Sequence, residues 1–146
     1  MSDESCRLPS DAGDEKTAIR RMTSARRIAI VGLSDDPSRP SFGVAGYLLS
    51  AGKEIVPVNP KYRQVMGLAC YPSLEAVPGK IDLVDVFRRA EFCPNVVRSA
   101  VKIGASGVWL QSGIVSAEAE AIARAAGIDF VQDRCLKVEL MYRGGI

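Results

Sequence analysis

Short β-branched runs alternate with helical stretches of about ten residues, and that alternation constrains the fold more than any other feature of this chain. Arg27-Ile-Ala-Ile-Val31 ends at Gly32. Residues 42–51 repeat Val44, Ala45, Leu48 and Leu49 at helical spacing, and Gly52 follows as a stop. Glu54-Ile-Val-Pro-Val58 is a second run and residues 81–87 a third. A helix is expected over residues 95–103, after Pro94, with Gly104 at its end. Residues 107–111 form a fourth run, Ser116 opens a helix reaching Ala126, and residues 128–131 form a fifth. A short final helix is expected over residues 138–142, and an opening one over residues 15–25 with Ala18, Ile19 and Met22 as its stripe. Strands linked by helices make right-handed βαβ units and a parallel sheet. Runs such as Ile28–Val31 and Val108–Leu110 are apolar on both faces, as parallel strands are.

The fold class expected is therefore α/β: a five-stranded, doubly wound parallel sheet, Rossmann-like, in a single domain, with strand order 3-2-1-4-5. Pro57 cannot donate to a ladder, so the second strand is expected to have a free edge or a bulge there. The chain has 146 residues, enough for one core without staples. Residues 1–14 are polar and acidic and are expected to form a mobile tail, leaving residues 15–146 as the domain.

Composition removes several function classes. There is no histidine, so a Ser-His-Asp triad, a Cys-His pair and histidine metal ligands are excluded within this chain. Cys6, Cys70, Cys93 and Cys135 lack Cys-x-x-Cys spacing, which argues against zinc and thioredoxin-like chemistry and for free thiols in a reducing, cytoplasmic setting. The net charge of +2 is too small for nucleic-acid binding by bulk charge. The first twenty residues have no apolar run to act as a signal peptide, and no stretch is long enough to span a membrane.

In an open α/β sheet, ligands sit outside the carboxyl ends of the strands at the switch point. There, Gly32 permits close backbone approach, Ser34 and Ser41 supply hydroxyls, and Arg39 supplies charge before a helix whose free N–H groups favour phosphate. The alternative for this loop is a solvated turn with Ser41 as an N-cap. Lys61 and Arg63 after the second strand, and Arg88 and Arg89 after the third, bring further cations to the same edge. For Arg89 alone, plain surface charge is the simpler account. Together they suit a polyanionic small molecule. A Gly-x-Gly-x-x-Gly turn is absent, and Asn59-Pro60-Lys61 stands where an acid would hold an NAD ribose. NADP or a 3′-phosphorylated adenosine fits this edge better than NAD.

The residues that carry a family resemblance are Val31-Gly-Leu-Ser34, Arg39-Pro-Ser-Phe-Gly-Val44, Pro57-Val-Asn-Pro60, Tyr71-Pro-Ser-Leu74, Asp85-Val-Phe-Arg88, Val108-Trp-Leu-Gln111 with Gly113, and Asp133-Arg-Cys135 with Lys137 and Glu139. From about residue 26 to 139 the chain resembles the small stand-alone bacterial coenzyme A (CoA)-binding proteins, and it is similar to the CoA-binding domain of the succinyl-CoA synthetase alpha subunit. The resemblance implies that CoA or an acyl-CoA lies across the carboxyl edge. It implies that Gly32, Leu33 and Ser34 hold phosphate or ribose, and that Asn59, Pro60 and Lys61 flank the adenosine and its phosphate. Val86, Phe87 and Arg88 would wall the groove with Pro94 beyond, and Trp109, Leu110 and Gln111 would line the other side. The family places proline directly after the terminal cysteine, whereas this chain has Leu136.

Several residues admit two readings. Trp109 lies mid-strand among apolar neighbours and suits core packing as well as a groove edge. Cys135 follows Arg134 at the ligand edge and suits either a mixed disulfide with CoA or simple packing. Arg88 needs a partner, either an anionic ligand group or a carboxylate such as Asp85 or Glu91. The function expected is non-catalytic binding of CoA, with no nucleic acid or membrane partner and no protein partner specified. The alternatives are an NADP-dependent oxidoreductase and a regulatory interaction protein.

Overall fold

The structure, a computed structural model, describes the backbone of residues 7–144 and the side chains of residues 15–142. Helix α1 (Arg7–Thr23) leads into strand β1 (Arg27–Val31), helix α2 (Pro40–Ser50) and strand β2 (Glu54–Val58). Two short strands follow, β3 (Gln64–Val65) and β4 (Leu68–Ala69), then β5 (Leu83–Val86), α3 (Cys93–Lys102), β6 (Gly107–Leu110), α4 (Ala117–Ala126), β7 (Asp129–Val131) and α5 (Leu136–Gly144). Helix α1 starts at Arg7, so the boundary expected at residue 14 falls within a helix; residues 1–6, including Cys6, lie outside the described residues.

The main sheet has five parallel strands in the order β2-β1-β5-β6-β7. Counting only these five, the order is 2-1-3-4-5, which corrects the expected 3-2-1-4-5. Pro57 carries the physical reason. Its carbonyl accepts from the Tyr71 N–H at 3.0 Å, so the position where its own N–H would be faces away from β1. On an edge strand that missing donor leaves no gap in the ladder, whereas between two strands it would. The single bridge from Val58 to Tyr71 covers this edge in part.

The strands bury both faces. Ile28, Ile30, Leu83, Trp109 and Val131 pack under α1, α2 and α5, against Ile19, Met22, Ala45, Leu48 and Leu136. Ala29, Val31, Val84, Val86, Val108, Leu110 and Phe130 pack on the other face, against Val97 and Ala100 of α3 and Ala119 and Ala123 of α4. Helix α4 has the caps its sequence announces: Ser116 accepts from the Ala119 N–H, Glu118 and Glu120 lie in the first turn, and Gly127 closes it at φ 74°. The β3–β4 hairpin was not foreseen. Its two-residue turn, Met66-Gly67, has positive φ at both positions, as a primed turn requires.

Asp85 is the one anomaly among the described core residues. It is fully buried in the central strand, in register with Ile30 and Trp109, and neither carboxylate oxygen has a hydrogen-bond partner. Burial raises its pKa well above the usual carboxylate value, so the neutral acid is favoured.

Candidate functional site

The order in which the chain adds strands reverses between β1 and β5. Strand β2 lies on one side of β1 and β5 on the other, so α2 and α3 leave toward opposite faces and a crevice opens above the strand ends. A cleft of about 950 Å³ occupies that position, lined among others by Gly32, Ser34, Arg39, Asn59, Lys61 and Arg88. It is at the upper end of the range for small-molecule sites.

Each wall is fixed by a bond that the local sequence supplies. The Gly32 N–H donates to the Val58 carbonyl at 2.8 Å, and the Phe87 N–H donates to the Val31 carbonyl at 2.9 Å. Gly32 has φ +88°, and a β-carbon there would stand 2.6 Å from the Phe87 carbonyl oxygen. Only glycine fits that conformation and that space without a shift of backbone. Beyond it, Asp36 N–H donates to Ser34 Oγ and Ser38 N–H donates to Asp36 Oδ1, so the loop is built of successive side-chain turns. The bonds from Ser38 hold the Asp36 carboxyl below its ordinary pKa. Asn59 ties the second loop to the first: its Nδ2 donates to the Leu33 carbonyl at 3.1 Å, while its Oδ1 accepts from the Lys61 N–H at 2.9 Å.

Ser41 is not the N-cap of α2. That position belongs to Arg39, with Pro40 in the first turn, and the buried Ser41 Oγ instead accepts from the Ser34 N–H. Proline at the helix start needs no N–H, so the helix begins two residues earlier than Phe42.

Of the residues expected at the site, Gly32, Ser34, Arg39, Ser41, Asn59, Pro60, Lys61, Phe87 and Arg88 all line this one cleft. Leu33, Val86, Trp109 and Leu110 do not; they are fully buried core residues. The strand positions of Val86, Trp109 and Leu110 point them into the packed faces, and Leu33, in the loop after β1, packs into the core with Ile30 and Leu48. The Trp109 indole N–H donates to the Arg134 carbonyl at 2.8 Å, so its polar atom is also spent inside the fold. Pro94 is buried in the first turn of α3. Gln111 is buried, and its Oε1 accepts from the Leu136 N–H. That bond uses the donor which Leu136 has and a proline would lack. Cys135 is half-buried against the core beside α5, away from the cleft. Cys70, Cys93 and Cys135 are free thiols; burial pushes the Cys70 and Cys93 thiols up, and the nearby Arg88 charge partly opposes this for Cys93.

The cations divide. Arg39, Lys61, Arg88 and Arg89 line the cleft against only two carboxylates, Asp36 and Glu75, whereas Arg63 does not reach it. Arg88 pairs with neither Asp85 nor Glu91 among the described residues; its guanidinium lies 4.4 Å from the centre of the Phe92 ring. Phe92, Asn95 and Ser99 were missed in the sequence, although their spacing places them on one side of the α3 entry. No group of His, Cys, Asp or Glu suited to a metal ion occurs among the described residues, and no described helix is long and apolar enough to cross a membrane.

A family model described as "CoA binding domain" matches residues 26–141. An uncharacterized protein of Bacillus subtilis, YneT, is 40% identical over 114 residues, covering 78% of this chain and 84% of its own. A solved structure, a hypothetical protein from Pyrococcus horikoshii, superposes with a TM-score of 0.83 at 38% identity, covering 88% of this chain and 90% of that one. The ADP-forming acetate–CoA ligase II of Archaeoglobus fulgidus is 28% identical over 104 residues, 70% of this chain; the match spans only 16% of that enzyme.

Proposed function

This chain belongs to the CoA-binding domain family, and on that premise we propose that it binds coenzyme A, free or as a thioester, in the cleft at the carboxyl edge of the sheet, and catalyses no reaction of its own. The observation that carries this is the convergence of Gly32, Ser34, Asn59, Lys61 and Arg88, drawn from three strand ends, on one cleft with excess positive charge. Gly32 lets a phosphate approach the backbone, and the N-terminal end of α2, whose dipole favours negative charge, faces the same cleft through Arg39, Pro40 and Ser41. Asn59, Pro60 and Lys61 flank the adenosine, with Lys61 toward its 3′-phosphate. Phe87 and Arg88 form the facing wall.

The absence of a reaction is inferred from chemistry. The chain has no histidine, and none of the described cysteines lines the cleft. The related acetate–CoA ligase is several times longer than this chain, so its ligation chemistry is not carried over. The free thiols are in keeping with a reducing, cytoplasmic setting.

Calorimetric titration with CoA, dephospho-CoA, NADPH and ATP tests the proposal. CoA is expected to bind more tightly than the other three. No heat with millimolar CoA overturns it; equal affinity for CoA and dephospho-CoA removes the 3′-phosphate role of Lys61; tighter binding of NADPH favours an oxidoreductase.

A further inference from the structure

Phe92 is a large apolar side chain left 36% exposed on the wall of the cleft. Its backbone is held in place: it is the N-cap of α3, and its N–H donates to the Arg89 carbonyl at 2.9 Å. Two cations share its ring, with the Arg88 guanidinium carbon 4.4 Å and the Arg89 guanidinium carbon 5.5 Å from the centroid. The two arginines differ in what else they meet. Arg89 is mostly exposed and has Glu91 at 4.0 Å, whereas Arg88 has no carboxylate partner among the described residues. The Arg88 stem runs beside Gly32, where a β-carbon would come within 3.1 Å of its Cδ. Arg88 is thus bracketed, stem against the β1 loop and head against Phe92.

The manner of contact matters. A guanidinium lying over an aromatic ring uses its face, and its five N–H donors stay in its own plane. A carboxylate in the place of Phe92 would occupy those donors and cancel the charge. An unsupported arginine would lose rotamer freedom on capturing an anion. We infer that Phe92 is a positioning residue: its ring holds Arg88 in place in the cleft with charge and donors free for a ligand phosphate. This rests on the cleft being the CoA site, and it gives a reason for leaving an aromatic ring in contact with water.

The test combines a ligand-free readout with a double-mutant cycle. In the proton NMR spectrum of the free protein, the Arg88 Hδ resonances are expected upfield through the Phe92 ring current, and Phe92→Leu is expected to abolish that shift. Phe92→Leu is expected to weaken CoA roughly three- to tenfold, the scale of a cation–π contact. Phe92→Trp is expected to restore affinity, and Phe92→Leu is expected to add nothing to Arg88→Ala. Should Phe92→Leu fold poorly, Phe92→Met takes its place. If the wild type binds CoA and Phe92→Leu binds it equally, or its loss adds fully to that of Arg88→Ala, the positioning role is overturned alone. If the wild type binds no CoA while the upfield shift is present, the cleft reading is overturned and the role with it.

Discussion

Ser41, in the first turn of α2, accepts a hydrogen bond from the Ser34 N–H at 3.0 Å, so the helix and the loop that precedes it form one unit. Ser41 is 4% exposed, and removing its hydroxyl strands the Ser34 donor at the rim of the cleft. Ser41→Ala is expected to cost about 1–2 kcal/mol of stability, or roughly 3–6 °C in a thermal melt. It is also expected to weaken CoA by loosening the loop. An unchanged melt would show that the bond is not formed in solution.

Gly32 meets two demands at once, a φ of +88° and the Phe87 carbonyl oxygen 2.6 Å from where a β-carbon would stand. Gly32→Ala is expected to destabilise by about 2–4 kcal/mol, because both backbone strain and displacement of β5 are involved. Chemical denaturation measures this. A loss below about 1 kcal/mol would mean that the β1 and β5 ends are not clamped as described.

Asp85 makes stability depend on pH. The folded state keeps its carboxyl protonated at pH values where the unfolded chain has released the proton, since burial raises the folded pKa. Folding then takes up a proton, and stability falls as pH rises above the ordinary aspartate range until the buried group itself ionises. The slope from this one group approaches about 1.4 kcal/mol per pH unit. Asp85→Asn is expected to remove that slope and to melt higher than the wild type at pH 8. Parallel melts from pH 5 to 8 with identical pH dependence in both proteins would contradict the assignment.

Arg88→Ala is expected to weaken CoA by about 1.5–3 kcal/mol, the scale of a charge-assisted hydrogen bond. Affinity should also become less sensitive to salt. Melting of the free protein should hardly change, since Arg88 has no ion-pair partner among the described residues. Normal binding with a much lower melt would make Arg88 a structural residue.

The strands and helices were legible because periodicity reports which faces are buried. Strand order was not, because pattern within a strand says little about its neighbour; yet Pro57 held the clue, since its missing donor suits an edge and the expected order put it between two strands. The gathering of Gly32, Ser34, Asn59, Lys61 and Arg88 at one candidate cleft was legible from the loops, because such polar and charged residues are unusual after a buried strand. Of the two readings open for Trp109 the structure has core packing, and Val86 lies in the core as well, because strand alternation turns both inward and nearness to the edge does not reverse that. Phe92 was missed because its role depends on where two neighbouring arginines point, which a linear pattern does not encode.

The most direct measurement of the central claim is a residue-resolved amide NMR titration with CoA. The account predicts large shifts at Gly32, Ser34, Asn59, Lys61 and Arg88, around the cleft, and little change at Glu120 and Arg124 on the opposite flank of the sheet. Shifts concentrated on α4 and β7, with the cleft residues unmoved, would contradict it.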